Sequence, residues 1–231
     1  MNQNKNIVKK TSQTSHPIKV QQYNSSSLSM NEDKHSEEID FLEDNQENQF
    51  LDRNANRGRV AIFIDGSNLF YAALQLGIEI DYAKLLVLLI RESRLLRAFF
   101  YTGVDRTNDK QQGFLLWMRR NGYRLVTKDV VQFPDGSKKA NLDVEIAVDI
   151  LNLAPCYDTA ILVSGDGDLA YAINTVSYKG VRVEVVSLRS MTSDSLINVA
   201  DCFIDIDSIK QYIQKDSQSE YCYPELSNFR I

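Results

Sequence analysis

The most informative absence is histidine. The sequence holds two, His16 and His35, and both lie in its polar opening stretch. From Arg59 onward there is none, which excludes a Ser–His–Asp triad, a Cys–His pair and a His-ligated zinc from that part of the chain. Cysteine is scarce too: Cys156, Cys202 and Cys222 form no CxxC pair, and an odd number does not make a disulfide framework. No apolar run approaches the roughly 18 residues of a membrane span, the longest being Leu85–Ile90. The beginning is rich in Asn, Ser and Gln and lacks the apolar stretch of a secretory signal. These absences predict a reduced, cytoplasmic protein with no membrane contact. Its chemistry must run on carboxylates, hydroxyls, amines or a bound metal.

Large excess charge of either sign is also missing. The net charge of −5 divides into −2 over residues 1–57, −1 over 58–215 and −2 over 216–231. Setting four acids of the middle segment aside as metal ligands leaves it at +3, which permits a polyanionic partner without demanding one.

What is present begins abruptly at Arg59. Residues 1–57 are polar and aperiodic, so they are expected to be disordered, with a short helix near Glu37–Leu42, and they suit a protein partner. Residues 216–231 form a polar C-terminal tail. Between them the continuous apolar run Val60–Asp65 predicts a buried parallel strand. Further strands are expected at Leu95–Tyr101, Tyr123–Thr127, Thr159–Ser164, Val181–Ser187 and Cys202–Ile206. Amphipathic helices are expected at Ser67–Leu76, Asp81–Arg91, Asp109–Arg120, Leu142–Leu153, Leu169–Tyr178 and Thr192–Ala200. This alternation implies right-handed crossovers and a parallel sheet covered on both faces.

Ligands of such sheets sit beyond the carboxyl ends of the strands. Two of those ends carry acids: Asp65 before Gly66-Ser67-Asn68, and Asp166 and Asp168 in Ser164-Gly165-Asp166-Gly167-Asp168. Carboxylates gathered there need a compensating cation, and hard oxygen donors suit Mg2+ or Mn2+. A helix adds a fourth acid. At roughly 100° per residue, Val144, Ala147, Val148 and Leu151 form an apolar arc that Ile146 and Ile150 widen. Asp143 falls inside that arc, with Asn141 as its cap, whereas Glu145 and Asp149 fall outside it. Asp143 is therefore the stronger candidate and Asp149 the weaker. Asn68, Ser164, Lys139 just before Asp143, and Ser187 at a strand end are supporting candidates. Against each single acid stands a plainer reading, that an Asp at a strand end caps the next helix.

A cationic stretch runs from Arg106 to Leu142 with a local net charge of +5. Its Arg106, Arg119, Arg120, Arg124, Lys128 and Lys138 are candidate contacts to single-stranded RNA, with Phe114, Trp117, Tyr123 and Phe133 interleaved as stacking partners. The alternative is that the aromatics are core and the charges a solvated helix face. Val130–Ala140, with its Pro-Asp-Gly turn, is expected to be a hairpin-like flap.

Four runs in order, VAIFIDGSN, KKANLDVEIAVDI, AILVSGDGDLAYAI and VRVEVVSL, resemble the NYN domain, a branch of the PIN-like nuclease superfamily, in its LabA-like subgroup, over about residues 59–207. The resemblance implies a PIN-like three-layer α/β/α sandwich with a mainly parallel sheet. It also implies acidic metal ligands and metal-dependent RNA cleavage. Position by position it points to Asp65 with Asn68, Asp143, Asp166 and Asp168, and it also marks Asp149. Leu169 departs from the pattern, where members usually have Phe. Rival readings are a phosphatase of the haloacid dehalogenase type, which lacks its leaving-group acid because Ser67 stands there, and a scaffold with little turnover. A dinucleotide fingerprint at Gly165, Gly167 and Ala170 is chance, because Asp166 and Asp168 would repel a pyrophosphate.

Overall fold

Val60 to Ile64 are all fully buried, so the first strand is the spine of the molecule. The computed structural model describes residues 56–132 and 138–216. The helix near Glu37–Leu42, Phe133, the Pro-Asp-Gly turn, Cys222 and the C-terminal tail lie outside the described residues. In chain order the elements are β1 (Arg59–Asp65), α1 (Gly66–Leu76), α2 (Tyr82–Ile90), β2 (Arg94–Val104), α3 (Asp109–Arg120) and β3 (Tyr123–Asp129). A short pair follows, β4 (Val131–Gln132) with β5 (Lys138–Lys139), then α4 (Asp143–Leu153), β6 (Thr159–Val163) and α5 (Ala170–Ser177). Last come β7 (Arg182–Ser187), α6 (Asp194–Ile197), β8 (Cys202–Asp205) and α7 (Ile206–Ile213).

Six strands form one parallel sheet in the order β3-β2-β1-β6-β7-β8. The chain builds outward from β1 to β3, then returns to place β6 on the other side of β1. The strand order thus reverses between β1 and β6, and the loops leaving those two strands diverge to open a crevice. β4 and β5 pair antiparallel, Val131 with Lys139 and Gln132 with Lys138, as a hairpin requires.

Alternation along β1 explains the two layers. Val60, Ile62 and Ile64 face one core with α1, α2, α3 and α7. Ala61 and Phe63 face the other with α4, α5 and α6. This is the PIN-like α/β/α arrangement. Truncating Phe63, fully buried and stacked on Phe99, to Ala would cost about 3–5 kcal/mol.

The helix expected over Thr192–Ala200 is only the single turn Asp194–Ile197, and two further features differ from expectation. The strand predicted to run to Ile206 stops at Asp205, which caps α7 by accepting from the Asp207 amide. The sparse apolar positions Ile206, Ile209 and Ile213 are all buried by that short helix. The other difference is on α4: Ile146 and Ile150 form its buried face, while Val144 and Val148 are 69% and 46% exposed. The apolar arc is therefore centred elsewhere than its hydrophobicity indicates, and Asp143 flanks it from the other side.

Arg57, just before β1, is buried and bonds both carboxylate oxygens of Glu184 on β7 at 3.0 and 2.8 Å, plus the carbonyl of Leu89 at 2.9 Å. Removing Glu184 would strand the Arg57 charge in the core, at a cost of about 3–5 kcal/mol, whereas removing Arg57 leaves Glu184 with Arg182 at 3.0 Å.

Candidate metal centre

Asp65 leaves β1 in extended conformation, and its Oδ1 accepts from Ser67 N at 3.0 Å, Ser67 Oγ at 2.7 Å and Asn68 N at 3.1 Å. The plain capping role is therefore real. Its Oδ2 faces a different neighbour, the Ser164 hydroxyl at 3.4 Å. Gly66 is required because a Cβ there would lie 2.8 Å from both the Phe100 ring and the Tyr101 carbonyl oxygen.

Across the crevice Asn68 Oδ1 accepts from Gly165 N at 3.0 Å, tying the first turn of α1 to the loop after β6. Ser164 Oγ accepts from Asp166 N at 3.2 Å, and Asp166 Oδ1 accepts from Asp168 N at 2.9 Å, capping the one-turn 3-10 helix Gly167–Leu169. Gly165 is pressed against the next loop: a Cβ would meet the Met191 carbonyl oxygen at 2.6 Å and Ser187 Oγ at 2.8 Å. Leu169, the departure from the family pattern, is fully buried, so the difference is one of packing.

Asp143 is the first residue of α4. The cap position is Leu142, not Asn141, but the Asn141 side chain brackets Asp143 by accepting from its amide at 3.0 Å and donating to its Oδ2. One carboxylate oxygen from each of Asp143, Asp166 and Asp168 lies within 4.8 Å of the others. Each like-charge pair at that spacing costs about 1–3 kcal/mol in a water-rich cleft. Burial pushes the Asp143 carboxyl above its ordinary range, and the charges of Asp166, Asp65 and Asp168 push the same way against the Asn141 hydrogen bond. Among side chains the structure describes, no Lys or Arg forms an ion pair with any of the four acids. Partly exposed hard oxygen donors without a cationic partner fit Mg2+ or Mn2+.

A row of polar side chains crosses the carboxyl edge on the face of α4 and α5. Asp65 pairs with Tyr101 on β2, while Ser164 directly after β6 and Ser187 at the end of β7 fall on the same face by alternation. The Tyr101 hydroxyl donates to Asp149 Oδ2 at 2.9 Å, so the weaker of the two helix acids is anchored to this row. Burial and the adjacent Asp149 charge push the Tyr101 hydroxyl well up. Ser187 is 1% exposed, and its hydroxyl has no hydrogen-bond partner among the described residues. Tyr101 was not among the sequence candidates. The only sequence signal for it was its place at the end of a strand.

The cationic stretch does not form one surface. Arg106 is held by Asp129 at 2.9 Å on an exposed loop. Lys128 reaches the Asn141 carbonyl at 3.0 Å and Glu145 at 2.8 Å, beside the acids. Arg119 and Arg120 lie in the last turn of α3, which runs back from the carboxyl edge, and Arg124 is the second residue of β3 beside them, all at the opposite end of the strands from the acids. Phe114 and Tyr123 belong to the core, with the Tyr123 hydroxyl donating to the Tyr82 carbonyl, and Trp117 packs against that core. Phe114 and Tyr123 are buried and so do not offer a face to a base. Lys138 and Lys139 form β5.

A parallel α/β sandwich with carboxylates gathered where the strand order reverses defines the PIN-like nuclease class. Residues 59–207 match the NYN domain, and the chain belongs to that family. It is 37% identical over 170 residues to the low amplitude and bright protein LabA of Synechococcus elongatus, covering 70% of this chain and 91% of that one. It is also similar to the crystal structure of a protein of unknown function from Vibrio parahaemolyticus, with TM-score 0.59 and 29% identity over 67% of this chain and 96% of that one. No described helix is long and apolar enough to cross a membrane.

Proposed function

We propose that this chain is a ribonuclease that hydrolyses RNA phosphodiester bonds with Mg2+ or Mn2+ held by Asp65, Asp143, Asp166 and Asp168. The observation that carries the reading is the approach of three carboxylates within 4.8 Å without a described cationic partner. When bound, the cation would neutralise phosphate oxygens and acidify a coordinated water. The chain's own residues do the positioning. Asp65 offers Oδ2, because its Oδ1 is committed to the α1 cap, and Ser164 and Asn68 hold the two loops in register. Asn141 orients Asp143, and the Tyr101 hydroxyl orients Asp149. The proton leaves through solvent or carboxylate, since no histidine lies beyond His35.

In this reading residues 58–215 carry the activity in a reduced cytoplasmic compartment, and residues 1–57 serve as a protein-binding arm. A second reading, a scaffold with little turnover that associates with itself or a partner, is favoured by one observation: Val144 and Val148 stand exposed beside the acids. The test is purified protein with single-stranded RNA and Mn2+, alongside Asp166→Asn. Cleavage by the parent and loss of at least about a hundredfold in the variant supports the nuclease. Intact RNA with both proteins contradicts it and leaves the scaffold.

A further inference from the structure

Arginine is distributed unevenly over the surface. Arg57, Arg59, Arg106, Arg182 and Arg189 each hold a carboxylate. Arg94, Arg97, Arg119, Arg120 and Arg124 are exposed and have no carboxylate partner among the described residues. These five share one corner, where β2 and β3 begin and α3 ends.

Alternation sorts that corner by face. Tyr123 and Leu125 of β3 point into the core of α1, α2 and α3, so Arg124, Val126 and Lys128 point to the opposite face. On β2 the same face carries Arg97, Phe99 and Tyr101. The register sets Phe63, Phe99 and Arg124 side by side across three strands, with Tyr101 beside Val126 and Gly103 beside Lys128 in the rows nearer the acids. Buried Phe63 stacks on half-buried Phe99 at 5.6 Å and nearly parallel, which fixes the Phe99 ring from its β1 side. α4 lies over β1 on this face through Ile146 and Ile150. Beyond it Arg97, Phe99, Arg124, Val126 and Lys128 are exposed or half-buried, while Tyr101 is buried. From Arg97 to Tyr101, beside Asp65, is about 13 Å along the strand.

We propose that the corner of β2 and β3 formed by Arg97, Phe99 and Arg124 seats single-stranded RNA on one side of the scissile bond. The two guanidinium groups contact phosphates, and a base stacks over the Phe99 ring. Charge complementarity argues for a polyanion, and a fixed aromatic between two unpaired arginines argues for a single strand rather than a duplex. The inference rests on the ribonuclease reading and names where its substrate lies.

The test is the binding of a fluorescent oligouridylate of about 12 nucleotides to the full chain carrying Asp166→Asn, with Mg2+ present, across a salt series. Arg97→Glu and Arg124→Glu should each weaken binding at least about fivefold and lower the salt slope by about 0.7 or more. Phe99→Leu should weaken single-strand binding with an unchanged slope. Lys179→Glu, the same charge change on an exposed residue after α5, should have little effect. Equal loss from Lys179→Glu, or parental affinity in the two arginine variants, overturns the seat. So does equal loss on a duplex of the same charge. If the parent cuts RNA while these variants bind normally, only the seat falls. If the variants lose binding but the parent never cuts, the seat stands and the ribonuclease reading falls.

Discussion

Two strand ends on the carboxyl edge of one sheet, central β1 and outermost β8, use one local device to different ends. At the end of β8, Asp205 accepts from the Asp207 amide and caps α7, as Asp65 accepts from Ser67 and Asn68 and caps α1. Around Asp205 the charges are balanced: Asp207 pairs with Lys210 at 2.7 Å and Asp194 with Arg189 at 2.8 Å. Around Asp65 they are not, because Asp143, Asp166 and Asp168 gather there without a described basic partner. Capping is a property of one strand end. An uncompensated cluster is a property of topology, since β1 and β6 become neighbours only through the reversal of strand order.

Substitutions can break this comparison. The largest contrast is expected between Asp65→Ala and Asp205→Ala. Both lose a cap worth about 1 kcal/mol, read as a shift in the denaturation midpoint. Only Asp65→Ala should also lose RNA cleavage, and comparable loss from Asp205→Ala would mean that capping alone matters. Next is the response to Mn2+. The parent should gain about 2.7 kcal/mol of stability at a hundredfold excess over the dissociation constant, whereas Asp166→Asn gains little and Asp207→Asn responds like the parent. Tyr101→Phe strips Asp149 of its hydroxyl donor and should cost about 1 kcal/mol, with weaker Mn2+ stabilisation if Asp149 belongs to the site.

The smallest effect sharpens the charge argument. Burial, with neighbouring charge, raises the folded pKa of Asp143 above 3.8. Its protonation therefore favours the fold at low pH, and that contribution is lost as pH rises through the folded value. In metal-free protein Asp143→Asn should gain roughly 0.5 kcal/mol at neutral pH and less near pH 4, as thermal melts at the two pH values would show. Addition of Mn2+ should reverse the order of parent and variant.

Much of this was legible in the sequence because parallel strands buried on both faces read as unbroken apolar runs. Val60–Asp65 and Thr159–Ser164 are located that way, and the acids after them follow. α7 was hidden because a cap, three isoleucines and intervening polar residues look like the end of a strand. The buried face of α4 was misplaced because Val144 and Val148 are apolar yet point to solvent, and hydrophobicity alone cannot say which of two apolar faces meets the sheet. The aromatics of the cationic stretch are hard to place from sequence for a similar reason. Alternation in β3 turns Tyr123 inward and Arg124 outward, and only the register shows that the aromatic beside Arg124 is Phe99, on another strand. The pairing of Arg57 with Glu184 spans 127 positions and left no local trace.

The most direct measurement is Mn2+ binding by calorimetry to the parent and to Asp143→Asn/Asp166→Asn/Asp168→Asn. Saturable binding by the parent that disappears in the triple variant, with both proteins folded by circular dichroism, is the expected result. Equal binding by both, or none by the parent, would contradict the account.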